Sequence, residues 1–207
     1  MWSGGLDSTA ALVWMLENTN DDIHAHHIYL QNRENRAQAE QVASENMLAY
    51  LEKNYRPFLY TESKWEMEGF VPYDIFVYAA QASFLCCGRR GRKSYKRLVT
   101  GSIKSFRHRV SLDRRREVAN NIFKAGTSHL KEYKNVEWFK PLVNMTKEEV
   151  YQSLPKDLRS LTWSCRFPRY VEEHAQVCGK CPSCMAMKRV RGELTQEEIR
   201  KYKKWLE

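Results

Sequence analysis

The period of the apolar positions changes along the chain, and each change marks an element. Ala10-Ala11-Leu12-Val13-Trp14-Met15-Leu16-Glu17 predicts a helix that opens directly after a Gly-Gly turn. Ile23 to Leu30 reads as a buried strand, with His24 and His26 on one face and His27 on the other. No carboxylate or cysteine stands at a useful spacing from these histidines, so they read as strand packing or solvent contact rather than metal ligands. From Glu34 to Lys53 the apolar residues Ala37, Val42, Ala43, Met47, Tyr50 and Leu51 recur near helical spacing, and Arg56 to Tyr60 reads as the next strand.

Phe70-Val71-Pro72 breaks the chain ahead of an apolar helix over Tyr73 to Cys87. A basic loop over Gly88 to Arg97 leads to a short strand at Leu98-Val99-Thr100-Gly101, and a second basic loop runs through Arg109. Asp113 is expected to open a helix toward Ala125, followed by a strand over Val136 to Phe139. A helix is announced by Thr146 with Glu149 three residues on, a capping box that Thr195 and Glu198 repeat ahead of a terminal helix with Ile199, Tyr202 and Leu206 on one face. Strand alternating with helix predicts an α/β fold, a parallel sheet with helices on its faces and ligands at the carboxyl ends of the strands.

The most specific stretch is Ser3-Gly4-Gly5-Leu6-Asp7-Ser8-Thr9. Gly4 and Gly5 allow close backbone approach, Ser8 and Thr9 offer hydroxyls, and the positive end of the following helix faces the same point, so a phosphate fits there. No lysine follows the glycines, which excludes the P-loop ending in Gly-Lys-Ser/Thr. The string resembles the pyrophosphatase loop of N-type ATP pyrophosphatases, which cleave ATP between the α and β phosphates to adenylate a substrate. That resemblance implies ATP bound by Ser3, Gly4, Gly5, Leu6, Asp7, Ser8, Thr9 and Gly101, with Asp7 and Ser8 in catalytic roles. A carboxylate beside phosphates makes sense as a Mg2+ partner or an organiser of the loop amides. Such a loop normally follows a buried strand, and only Met1 and Trp2 precede it here; the expectation is a truncated first strand, the alternative a stunted one.

Length and composition permit one sizeable core with a small appended module: 207 residues, 43% hydrophobic and 29% charged. No apolar run is long enough to span a bilayer and no leader is evident, so the cytoplasm is the default expectation. Charge is uneven. From Arg89 to Arg116 there are 12 lysines and arginines against Asp113 alone, whereas the remainder holds 22 basic and 24 acidic residues. Such a stretch suits a nucleic-acid backbone or an acidic protein partner, or is a solvated loop; a further reading has part of it lining a site through Lys104, Arg107 or Arg109.

Six cysteines fall in two groups. Cys86 and Cys87 point in different directions on a helix and read as structural. Cys165 precedes Cys178-Gly179-Lys180-Cys181-Pro182-Ser183-Cys184, two overlapping Cys-x-x-Cys steps whose thiolates can converge with Cys165 on one Zn2+; an iron–sulfur cluster or a catalytic thiol are the competing readings.

The loop at one end and the knuckle at the other together resemble the 7-cyano-7-deazaguanine synthase family of the queuosine pathway. Phe70-Val71-Pro72, Val99-Thr100-Gly101, Lys140-Pro141-Leu142 and Thr162-Trp163-Ser164-Cys165 extend the resemblance through most of the chain. It implies an ATP pyrophosphatase domain over 1–160 and a zinc knuckle with a helix over 161–207. It implies adenylation of the carboxylate of a 7-deazaguanine, amination by ammonia and dehydration to the nitrile with a second ATP, and a tendency to dimerise. Substrate contacts would fall to Lys104, Arg107, Asp113 and Arg114. The chain departs from the family at Tyr73-Asp74-Ile75, where a small residue, Arg and Asn are usual, and over Ser102 to Arg107. The alternatives are therefore the same adenylation with a protein amine or nucleic-acid base as acceptor, and a non-catalytic adaptor that binds nucleotide or nucleic acid.

Overall fold

A computed structural model describes residues 1–87, 95–104, 110–129 and 136–206, without the side chains of 110–113 and 204–206. In chain order the elements are α1 (Leu6–Asn18), β1 (His24–Gln31), α2 (Ala37–Asn54), β2 (Leu59–Glu66), α3 (Asp74–Cys87), β3 (Arg97–Val99) and α4 (Val110–Thr127). They continue with β4 (Glu137–Phe139), α5 (Lys147–Ser153), α6 (Lys156–Leu161), β5 (Arg169–Val171), β6 (His174–Gln176), α7 (Pro182–Arg191) and α8 (Gln196–Leu206). Among the described residues no helix is long and apolar enough to cross a membrane.

The result is a mixed α/β structure with parallel sheet pieces. β1 pairs with β2 and β3 with β4, both parallel, while β5 and β6 form a small antiparallel pair beside the cysteine cluster. Met1 and Trp2 stand between the two parallel pairs. The Trp2 amide donates to His26 O at 2.9 Å, and the Met1 amine reaches Val99 O at 3.4 Å. The phosphate-type turn at Ser3–Gly5 thus emerges from the middle of the sheet pieces.

The main core joins α1, α2, α5 and α6 through Leu6, Val13, Met47, Leu51, Val150 and Leu158. A second core lies between α3 and α4, where Ala79, Ala82 and Ala119 permit close approach around Phe123. A Cβ at Gly126 would lie 2.4 Å from Ser83 Oγ, so the crossing requires glycine there. Cys86 is buried in this core and burial pushes its thiol up to about 12; Cys87 Sγ donates to Gly126 O at 3.1 Å.

Several boundaries differ from the sequence expectation, for visible reasons. α2 begins at Ala37 rather than Glu34, because Asn35 has φ 52 and Glu34 and Arg36 are buried in an ion-pair network. β2 runs over Leu59–Glu66, not Arg56–Tyr60. Arg56 instead donates to the carbonyls of Leu16, Thr19 and Asp21 at 2.9–3.0 Å, and the charged Glu62, Lys64 and Glu66 alternate outward on a strand whose described partner is β1 alone. β3 covers Arg97–Val99, leaving Thr100 and Gly101 beyond it, and α4 starts at Val110, three residues ahead of Asp113.

The histidines of β1 serve strand packing. His26 lies between Thr61 Oγ1 at 2.6 Å and Ser63 Oγ at 3.0 Å, and His24 between the same threonine and Tyr95 Oη, both at 2.6 Å. Burial first, and the neighbouring His24 second, lower His26 from 6.5 to about 4; burial also lowers His27. A depressed histidine favours folding at neutral pH. That stability is lost as pH falls from 6.5 toward 4, at no more than about 1.4 kcal/mol per pH unit per site. Thermal melts across this window should show the loss, and His26→Gln should flatten it; an unchanged slope in the variant would assign the acid sensitivity elsewhere.

Candidate active site and cysteine centre

The loop between Trp2 and α1 is shaped by its sequence. Gly4 has φ +71, a conformation that strains any side chain, although a Cβ there would meet Met47 and Ser44 of α2 only at ordinary contact distance. Gly5 is the N-cap of α1 and provides no side-chain cap, so the first amides of a 13-residue helix are left for another acceptor. Ser8 closes the turn from within. Its hydroxyl accepts from Ser3 N at 3.2 Å, donates to Gly5 O at 3.1 Å and lies 3.0 Å from Ser3 Oγ.

Two side chains of the string point into the core. Leu6 is 1% exposed, and Thr9 is fully buried, accepting from Trp2 Nε1 at 3.0 Å and meeting Met47 Sδ at 3.5 Å. The Thr9 hydroxyl therefore fixes Trp2 under the loop and is not a ligand donor, a correction to the sequence expectation.

Ser3, Asp7 and Ser8 form one wall of a cleft of about 990 Å3. Gly101 stands against them so closely that a Cβ would lie 2.6 to 2.7 Å from the Asp7 carbonyl group and Ser8 N. Gly101→Ala must push the loop aside and should lower the melting temperature by several degrees with little change in helix content; a variant that melts with the parent protein would show that the contact does not set the loop. The opposite wall comes from α3 and α4, with Asp74, Tyr78, Arg116, Glu117, Asn120 and Lys124, and Lys140 follows β4.

Lys147, in the first turn of α5, is the residue the sequence did not flag. Its Nζ donates to Asp7 Oδ1 at 2.7 Å across 140 positions of sequence, with the pair half-buried. The capping box at Thr146 and Glu149 fixes the start of α5 and thereby the lysine. Of the other residues expected at the substrate, Lys104 is exposed, its amide bonded to Met145 O, and Arg114 is exposed; neither lines the cleft. Arg107 and Arg109 lie outside the described residues, as do the Asp113 side chain and Arg89, Arg90, Arg92 and Lys93 of the basic stretch. On α4 the cleft-facing residues are spaced at helical intervals as Arg116, Asn120 and Lys124, a pattern legible only once the register of the helix is known.

Behind the cleft lies a buried ion network. Arg36 pairs with Glu34, Glu40 and Asp74, and Arg166 with Glu34 and Asp74. Burial raises Glu40 to about 7 despite Arg36, and burial raises Tyr78 beside it. Asp74 is thus held by two guanidiniums at the entrance to α3, where the resembled family carries arginine.

The four cysteines converge as their spacing predicts. The sulfurs of Cys165, Cys178, Cys181 and Cys184 all lie within 4.8 Å of one another, and those of Cys178 and Cys184 are 3.9 Å apart. A tetrahedral zinc with bonds of about 2.3 Å needs sulfur separations of about 3.8 Å, so the set fits. The amides of Cys178, Cys181 and Cys184 donate to the sulfurs of Cys165, Cys178 and Cys181 at 3.2 to 3.4 Å, which favours thiolates. Hydrogen bonding from Cys184 pulls Cys181 down to about 4, and the same bond pushes Cys184 up. This four-cysteine cluster could hold a metal such as zinc.

No curated protein and no solved structure matches the chain. Residues 113–193, from α4 to the end of the knuckle helix, match the family model described as queuosine biosynthesis protein QueC. The matched stretch contains Lys147, Trp163 and the four cysteines of the cluster, and it is over this stretch that the chain is similar to that family.

Proposed function

We propose that the chain is an ATP-dependent ligase that adenylates the carboxylate of 7-carboxy-7-deazaguanine and converts it to 7-cyano-7-deazaguanine. The observation that carries this reading is the loop: uncapped helix amides of α1, Gly101 pressed on Asp7 and Ser8 at the cleft, and Lys147 on the Asp7 carboxylate. In this reading residues 1–160 form an ATP pyrophosphatase domain and 161–207 a zinc module.

The chemistry follows from leaving groups. A carboxylate oxygen attacks the α-phosphorus of ATP and pyrophosphate departs, its charge met by the helix amides and by the cations Arg116, Lys124 and Lys140. Ammonia then attacks the acyl carbon and AMP leaves with the former carboxylate oxygen, giving the amide. A second ATP activates the amide oxygen in the same way, with release of pyrophosphate, and loss of AMP and of both N–H protons leaves the nitrile. Mg2+ would travel with ATP, and Asp7 is the loop carboxylate available to it.

Asp74, clamped between Arg36 and Arg166 on the cleft wall, favours a second reading in which the adenylated group goes to a protein amine or a nucleic-acid base. A nucleic-acid or acidic protein partner on residues 89–116 belongs with that reading, and a nucleotide-binding adaptor is the non-catalytic alternative. Incubation with ATP and 7-carboxy-7-deazaguanine, with and without ammonia, separates them. AMP, pyrophosphate and nitrile support the first, AMP without nitrile the second, and no product from ATP leaves the adaptor.

A further inference from the structure

The cysteine centre and the phosphate-type loop are joined by four consecutive residues. The Trp163 amide donates to Gly4 O at 3.1 Å, and the Trp163 carbonyl lies 3.3 Å from where a Cβ on Gly5 would be, so this residue sits directly over the Gly-Gly turn. Its indole packs against both the main core and the cysteine cluster, and Nε1 donates to Cys165 O at 2.9 Å. The next residue after Cys165 is Arg166. It makes a two-pronged pair with Glu34, Nε to Oε1 and Nη2 to Oε2 both at 2.8 Å, and its Nη1 donates to Asp74 Oδ2 at 3.0 Å. Asp74 lines the cleft opposite the loop and takes Arg36 Nη2 on its other oxygen at 2.8 Å.

We propose that Arg166 is a positioning residue that, with Trp163 on the Gly-Gly turn and its own side chain on Asp74, ties the cysteine centre to the two sides of the cleft, so that a metal held by the cysteines sets the order of the loop at residues 3–9. A loaded centre fixes Cys165, Cys165 fixes the neighbouring Trp163 and Arg166, and these hold Gly4 and Asp74. Arg166 makes the coupling specific: without its fork the segment keeps only the cysteine end and the Trp163 contacts, and its tie to Glu34 and Asp74 is lost. The inference rests on the nucleotide-site reading for its functional meaning, but its structural content can be measured without ATP.

The test compares the zinc-loaded protein, the same protein after chelation, and zinc-loaded Arg166→Gln and Arg166→Lys variants with metal content verified. Amide hydrogen exchange is read in the peptides spanning residues 3–9 and, as a control, in the part of α2 around Met47 and Leu51. Chelation and Arg166→Gln should each accelerate exchange at the loop by about tenfold or more while the α2 peptide is unchanged, and Arg166→Lys should restore part of the protection. Affinity for Mg2+ with α,β-methylene-ATP should fall by a similar factor in parallel. Loop exchange equal to the unaltered protein in zinc-loaded Arg166→Gln would overturn the proposal, as would an equal rise at the loop and α2. If the analogue fails to bind the unaltered loaded protein, the nucleotide reading fails, and the exchange result still decides this coupling.

Discussion

On the proposed function, Asp7→Asn should abolish pyrophosphate release from ATP and Lys147→Met should lower it by about a hundredfold to a thousandfold, with both variants melting within a few degrees of the parent protein. The expected loss is large because the Asp7 carboxylate is held at 2.7 Å by Lys147 beside the first turn of α1, where the proposed function puts the phosphates. Removing the ammonium would leave a half-buried carboxylate facing the proposed anionic substrate, and removing the carboxylate would free the lysine. Stability changes little, since the pair is partly solvated and each partner is anchored by its own helix. Lys147→Arg, which keeps the charge, should retain more activity than Lys147→Met. Steady-state pyrophosphate release with circular dichroism melts checks all three; full activity in Lys147→Met would mean that the pair is a surface contact.

Metal removal carries the second large effect. The purified protein should hold about one equivalent of zinc, and Cys181→Ser should hold less than half of that. Chelation should unfold the segment around β5, β6 and α7, because Cys165, Cys181 and Cys184 are themselves the small core there and β5 and β6 are three residues each. Structural zinc contributes on the order of 10 kcal/mol to such modules, more than these short elements can replace. The effect should be steeper at low pH, where protons compete for the thiolates. Metal analysis and limited proteolysis read it directly, and an iron chromophore, or a protease-resistant chelated protein, would contradict it.

Local chemistry made much of this architecture readable in the sequence. The Gly-Gly turn before an apolar run, the capping box at Thr146 and Glu149, and the overlapping Cys-x-x-Cys steps each express one short-range physical requirement, and each appears where expected. What escaped was long-range pairing. Nothing around Lys147 distinguishes it from any lysine in a first helical turn until α5 packs on α1 and brings it to Asp7. Arg166 reads as a charge beside a cysteine until Glu34 and Asp74 arrive from two other elements. β2 was misplaced because the outward Glu62, Lys64 and Glu66 hide an edge strand behind polar residues, and Thr9 was given to the ligand because its neighbours belong there while its own side chain turns inward. Seen as a whole, the residues flagged by pattern are those whose backbone makes the site, and the residues missed are those whose side chains hold it in place.

The most direct test of the central claim follows oxygen. With 7-carboxy-7-deazaguanine labelled with oxygen-18 in its carboxylate, ATP and ammonia, the proposed reaction transfers one labelled oxygen to each of the two AMP molecules released, as the carbon–oxygen bond breaks in each step. Mass spectrometry should find labelled AMP together with unlabelled pyrophosphate. AMP without label, or ADP with phosphate in its place, would contradict adenylation of the carboxylate at this loop.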